Sequence, residues 1–453
     1  MSANTAHTQV SMKRVAAATV VGTTVEWYDF FLYASAAAVI FQELFFSPAG
    51  ENFAQIVSFF TVGISFVFRP IGGFIAGHLG DKIGRKPLLV LTLILMGAST
   101  TLIGCLPTYT SIGLLAPCLL IFLRIMQGLS AGGEWGGAAM MAIEHAPTNR
   151  RGFYGSMPQL GVPLGLVLSN AMMAFMQTIL NDEQWLAWGW RIPFLISCVL
   201  VFIGYWVRRS VSESPVFAEI KEREEQTKAP VAQLFRYFLP LVILSALVFA
   251  GNSSAGYMTT GGFVQSYASS TLEMNTNTVL WTVSAAGICW GIFSILAGFV
   301  TDKIGARATY AIGFVFQAIG VCTLFPIINS ATVPTLFLGL AFLTFGTGFT
   351  YGPQAAFYGE LFPASVRFSG VSISYALGAL VGGAFSPMIA QWFLEATGTT
   401  TSISIYLAVF ALIGLVTTLL LRNRRGIDLS IDNDANQRKG IYIWQKPTKL
   451  ERD

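Results

Sequence analysis

Charge is scarce in this chain: Asp, Glu, Lys and Arg together make up 11% of its 453 residues. A water-soluble domain carries roughly a quarter of its residues as charges, so this composition argues against one. The five cysteines (Cys105, Cys118, Cys198, Cys289, Cys322) and three histidines (His7, His78, His145) fall at no metal-ligand or nucleophile-base spacing. No metal, no other cofactor and no enzymatic activity is therefore expected, and the cysteines read as packing residues. A Gly-x-x-x-x-Gly-Lys-Ser/Thr loop is also missing, which argues against direct coupling to ATP. The N-terminus, MSANTAHTQVSMKR, has no small-residue cleavage site and reads as a tail leading into a retained first span.

What the chain does have is apolar length. It is 54% hydrophobic and 13% aromatic, with a mean hydropathy of +0.62. About 20 apolar residues make a helix that crosses the hydrocarbon core, and twelve stretches qualify: 15–46, 53–79, 88–106, 112–142, 152–180, 190–209, 235–268, 277–301, 308–328, 333–361, 367–395 and 401–421. The fold class expected is an all-α membrane protein of twelve transmembrane helices. With the N-terminus cytoplasmic, 24 of the 27 Lys and Arg residues lie in cytoplasmic segments, and the outer loops hold only Arg191. Both termini are thus expected on the cytoplasmic side, and the net charge of +4 reports this bias rather than a nucleic-acid partner.

The chain repeats itself. GHLGDKIGRK at 77–86 returns as GFVTDKIGAR at 298–307, an offset of 221, and EHAPTNRR at 144–151 returns as ELFPASVR at 360–367, an offset of 216. Two matches at nearly one offset imply two pseudo-symmetric six-helix bundles in one orientation. The division expected is a cytoplasmic tail 1–14, a first bundle 15–209, a charged linker 210–234, a second bundle 235–421 and a polar tail 422–453 without assigned fold.

Gly77-x-x-x-Asp81-Lys82-x-Gly84-Arg85-Lys86 and the six-plus-six layout resemble the major facilitator superfamily. The resemblance implies a conformational latch for Gly77, Asp81 and Arg85 and for their counterparts Asp302 and Lys303. Both aspartates sit at helix ends, where they can pair with bases in one state and release them in another; a structural cap is the alternative. Glu144, Arg151, Glu360 and Arg367, from the second repeat, are further gating candidates.

Five ionisable residues lie inside spans away from helix ends: Glu26, Asp29, Arg69, Arg124 and Glu134. Each costs about 3 kcal/mol or more at mid-membrane. Glu26 and Asp29 share one stripe of span 1 with Gly22 and Tyr33, and Arg124, Gln127, Ala131 and Glu134 share a stripe of span 4. At about 1.5 Å per residue, Glu26, Arg69 and Glu134 lie roughly 12–17 Å deep and Asp29 and Arg124 roughly 20–27 Å deep. The expectation is that arginines face the acids across a shared cavity, a static buried network being the alternative. If a carboxylate takes a proton, an arginine becomes available to an anion, and proton and anion favour each other's binding.

EWYDF in span 1, FRPIGG at 68–73, RIMQGLSAGGEWGG at 124–137 and WGWRIPF at 188–194 together resemble the metabolite:proton symporter family of that superfamily, and NDEQWLAWGWRIPFLISCVLVFIGYWVRR with SESPVF resembles its shikimate permease branch. The resemblance implies import of a small organic acid with protons as coupling ion, in a bacterial cytoplasmic membrane, by a monomer whose partners are substrate and bilayer. Di- or tricarboxylates such as 2-oxoglutarate or citrate, and betaine-like zwitterions, are alternatives; a facilitator channel and a transporter-derived receptor are alternatives of another class. Asp29, Glu26 and Glu134 are the proton candidates. Arg124 and Arg69, with Gln127, Tyr33 and Trp135, are substrate candidates in the first half. Asn252, Tyr257, Tyr351, Gln354, Tyr358 and Tyr375 could hold the uncharged side of a cyclic acid, with aromatic packing as the alternative.

Overall fold

The computed structural model describes residues 12–83, 85–209, 230–260 and 262–445. Residues 210–229 of the expected linker 210–234 and the start of the first tail therefore lie outside the described residues, as do the side chains of residues 77–86 and 257–260.

A backbone surrounded by lipid must satisfy its own hydrogen bonds, so the apolar stretches become helices. Span 1 is Met12–Val39, span 2 Glu51–Ile83, span 3 Arg85–Cys105, span 5 Arg151–Ile179, span 6 Arg191–Arg209, span 7 Pro230–Thr260, span 8 Thr276–Ile304, span 9 Ala306–Ile328 and span 12 Thr401–Leu420. Span 4 is the pair Leu115–Ala131 and Glu134–His145, span 10 the pair Val333–Tyr351 and Gln354–Leu361, and span 11 runs from Arg367 to Thr397 through a π-helical turn at Ala379–Gly383. Among the described residues ten helices are long and apolar enough to cross a membrane, and an eleventh is span 6 taken with the bent segment before it. Span 1, at 28 residues, has the length but not the hydropathy; it is the one that carries Glu26 and Asp29. Phe202, Trp206, Val199, Ile288 and Ile405 stand exposed on the outside of the bundle, as lipid-facing side chains do.

Four boundaries differ from the sequence reading. Span 1 ends at Val39, and Phe41–Phe46 forms a separate helix. Span 4 is interrupted at Gly132–Gly133, so Glu134 opens a second helical segment. Span 7 begins at Pro230 and bends at Phe238, whose φ and ψ are −126° and 17°, two residues before Pro240; proline disfavours helical backbone just ahead of it. Its other end stops at Thr260, and the chain restarts at Phe263 after Gly262, whose φ of +130° suits only glycine.

Small residues set how closely the charged spans approach. A Cβ at Gly128 would collide with the Ser65 backbone, and one at Gly132 with the backbone of Arg69 and Gly73, so spans 2 and 4 meet main chain to main chain. That contact brings Arg69 and Glu134 inward. Gly132→Val should push the spans apart at a cost of about 1–3 kcal/mol, seen as a lower melting temperature of the detergent-purified protein; an unchanged melting curve would show that the contact is slack.

Residues 422–445 of the tail, to which the sequence reading assigned no fold, pack back on the bundle. Leu421 bridges to Tyr442, and a short helix, Asp434–Gln437, lies against the start of span 11. Ser365 N–H donates to Asp434 at 2.9 Å and Ala364 N–H to Gln437 at 2.7 Å. Burial opposes the charge on Asp434, yet Ser365 and Arg438 hold its carboxyl below the usual range.

Candidate functional site

The two halves meet at both ends of the bundle. At the end carrying the repeated motifs, Arg367 of the second half lies 3.7 Å from Glu144 of the first, and Arg151 of the first lies 3.6 Å from Glu360 of the second. The duplicated Glu-Pro-Arg segments thus exchange partners across the pseudo-twofold axis. Asp302 accepts from Gly152 N–H at 2.7 Å and Phe153 N–H at 2.9 Å, placing a carboxylate at the positive end of span 5. The tail closes over this clasp: the carbonyls of Ile427 and Leu429 accept from Arg151 at 2.5 Å and Arg367 at 2.9 Å, and Arg425 donates to the Lys303 carbonyl at 2.7 Å. Asp81 and Arg85, with Gly77, fall where side chains lie outside the described residues. Breaking a buried ion pair from one side costs about 3–5 kcal/mol, so Arg367→Glu should abolish transport. Glu144→Arg combined with it should restore part of the activity; no restoration would mean that the pair is incidental.

At the far end, Phe60 stacks on Phe385 with centroids 5.9 Å apart, and Asn277 of span 8 donates to the Ala174 carbonyl of span 5 at 2.7 Å. The charged residues are shut between these layers: Glu26, Asp29, Arg69, Arg124 and Glu134 are each no more than 2% exposed.

Among the described residues the two arginines are held by carbonyls, hydroxyls and rings. Arg124 is held by span 2, where Nε donates to the Thr61 carbonyl (3.2 Å) and Nη2 to the Val62 carbonyl (3.0 Å) and Ser65 Oγ (2.8 Å). Its guanidinium lies 3.8 Å from the centroid of the Tyr33 ring, and Tyr33 is fixed in turn by Thr61 at 2.6 Å. Arg69 sits in an aromatic box, 4.3 Å from Phe66, 5.3 Å from Phe30 and 5.5 Å from Trp27. Neither arginine forms an ion pair among the described residues, and each lies within electrostatic reach of the other. Asp29 faces span 6 instead, where Ser197 donates to it at 2.5 Å, and Glu134 is its charged neighbour. Asp29 and Arg124, which residue counting sets at one depth, are linked here by a relay. Arg124 donates to Gln127 at 2.6 Å, Gln127 donates to Thr100 at 2.7 Å, and Thr100 stands beside the Asp29 carboxyl.

The second half supplies rings and amides. Tyr375 is sandwiched between Trp135 (4.0 Å, 9°) and Phe249 (4.2 Å, 21°), with Tyr351 3.5 Å from its hydroxyl. Tyr358 meets Trp135 edge to face and donates to the Ser245 carbonyl at 2.5 Å. Gln159 ties the group together: it accepts from Trp135 Nε1 at 2.8 Å and donates to the Tyr351 carbonyl at 3.1 Å and to Gln354 at 3.2 Å. The sequence reading passed over Gln159, whose signal is a lone amide between Pro158 and Pro163. Asn252 does not join this group; it donates to Thr350 at 2.5 Å within the second half. The Tyr257 side chain lies outside the described residues.

A layer of buried charge in one of two duplicated helical halves, and a clasp of crossed ion pairs between them, are the marks of a membrane transporter. Comparisons agree. Residues 15–239 match the sugar (and other) transporter model and residues 252–447 the Major Facilitator Superfamily model. The inner membrane metabolite transport protein YhjE of Escherichia coli (strain K12) is 39% identical over 427 residues, covering 92% of this chain and 95% of that one. The shikimate transporter of the same organism is 35% identical over 426 residues, covering 91% and 94%. The solved structure of the proton:xylose symporter XylE bound to 6-bromo-6-deoxy-D-glucose superposes with a TM-score of 0.74 at 17% identity, over 92% of this chain and 97% of that one, which shows the shared fold. The chain belongs to the major facilitator superfamily, in its metabolite:proton symporter family. It is a multi-pass transporter of metabolites, not an enzyme.

Proposed function

We propose that the protein imports a small organic acid, a shikimate-like monocarboxylate, together with protons by alternating access, with the clasped motif face toward the cytoplasm. The observation that carries this reading is the setting of the two buried arginines. Arg69 and Arg124 are buried and form no ion pair among the described residues, so a cargo carboxylate supplies the counter-charge, which guanidinium can grip through two parallel hydrogen bonds. Asp29, buried with a hydroxyl donor and a like-charged neighbour, is the group a proton neutralises. The Arg124–Gln127–Thr100 relay then links the two events, so that each ligand raises the affinity of the other.

The relative that transports shikimate supports the cargo. A second reading, a dicarboxylate or tricarboxylate such as 2-oxoglutarate or citrate, is favoured by the mutual proximity of the two arginines, since each could take one carboxylate. The test is uptake into proteoliposomes with an imposed pH gradient, acid outside. Shikimate should accumulate and the uncoupler should abolish accumulation. Competition by citrate but not by shikimate would transfer the assignment to the second reading, and uptake indifferent to the uncoupler would make the protein a facilitator.

A further inference from the structure

Away from the charged layer, toward the end opposite the clasp, three polar side chains from both halves converge. Ser35 is on span 1, Asn170 on span 5 and Gln265 on the short helix Phe263–Ser266 beyond span 7, and each is at most 1% exposed. Ser35 Oγ donates to Asn170 Oδ1 at 2.7 Å, and Gln265 Nε2 donates to the same oxygen at 3.3 Å. Asn170 Nδ2 and Gln265 Oε1 have no hydrogen-bond partner among the described residues. Turning both amides over does not remedy this: the Asn170 nitrogen would then serve Ser35 and Gln265, and one oxygen and one nitrogen would again be left over. An unused donor beside an unused acceptor in a buried place is costly unless something fills both.

We infer that Ser35, Asn170 and Gln265 form a subsite, shared by the two halves, that recognises a hydroxyl group of the cargo. A hydroxyl accepts from the Asn170 amide and donates to the Gln265 carbonyl at once; an ionised carboxylate only accepts, and an ammonium only donates. The backbone is built to place Gln265 there. Gly262, at a φ of +130°, breaks the helix against the Ala34 carbonyl and Ala38 of span 1, and the restart at Phe263 directs the amide across the interface. Because Gln265 belongs to one half and Asn170 to the other, the cargo hydroxyl is gripped only when the halves close at this end. The inference rests on the organic-acid reading above and adds what the cargo carries besides its carboxylate.

The test uses the purified full chain in proteoliposomes and compares shikimate with 1-cyclohexenecarboxylate, which keeps ring and carboxylate but has no hydroxyls, as competitors of labelled shikimate uptake. A site that hydrogen-bonds a hydroxyl rejects the analogue lacking it, so the wild-type protein should prefer shikimate by about 100-fold or more. Gln265→Met and Asn170→Leu should weaken shikimate until the two acids compete within about threefold of each other. Gln265→Met preserves volume and carries the test if Asn170→Leu fails to fold, as judged by its size-exclusion profile. Equal competition in the wild type, or a preference that survives both substitutions, overturns the subsite and leaves a buried water as the occupant, while the organic-acid reading stands. Failure of both acids to compete or to be taken up overturns that reading and the subsite with it.

Discussion

Asp29→Asn is expected to abolish accumulation of cargo against its gradient while leaving exchange of cargo across the membrane measurable. Asn keeps the shape of the side chain and its contact with Ser197, which lies 2.5 Å from the carboxyl, but has no charge for a proton to remove. Coupling is lost because the two protonation states of the site no longer differ. The measurement is twofold: pH-driven uptake should fall to the level set by passive equilibration, and counterflow between loaded and external cargo should persist. Full accumulation by the variant would move the proton to Glu26 or Glu134, both equally buried in the same half.

Arg69→Gln should have the other large effect, on affinity. Its guanidinium is enclosed by Trp27, Phe30 and Phe66 and meets no carboxylate among the described residues. If the cargo carboxylate supplies the counter-charge, its removal costs about 3 kcal/mol, a rise in KM of about 100-fold. Arg124→Ala behaves differently, because Arg124 also satisfies the Thr61 and Val62 carbonyls; its loss should lower the melting temperature as well as binding. A KM for Arg69→Gln within experimental error of wild type would assign the anion to Arg124 alone.

Much of this molecule was legible from its sequence because lipid leaves a chain few options. Hydropathy, the repeated Asp-Lys-x-Gly segment and the repeated Glu-Pro-Arg segment are local patterns, and each marks a helix or helix end that the structure contains. Azimuth was harder. Glu26 and Asp29 are three residues apart, and spacing placed them on one stripe, yet it could not say that Asp29 would find Ser197 on span 6. Heights along a helix follow from counting residues; which neighbouring helix a side chain meets depends on packing set by residues such as Gly128 and Gly132, far away in sequence from Arg69. The tail shows the same limit. Its order comes from Arg151, Arg367 and Arg424 reaching its carbonyls and from Gln437 reaching back, contacts that no local periodicity foretells.

The crossed pairing of Glu144 with Arg367 and of Glu360 with Arg151 ties together the histories of two segments that began as copies. Had each segment kept its own acid and base, either copy could have drifted alone. As it is, a change of charge at position 144 is tolerated only beside a matching change at 367, and one at 360 only beside one at 151. Across related genes, inherited change at these four positions should therefore run diagonally between the copies rather than within them.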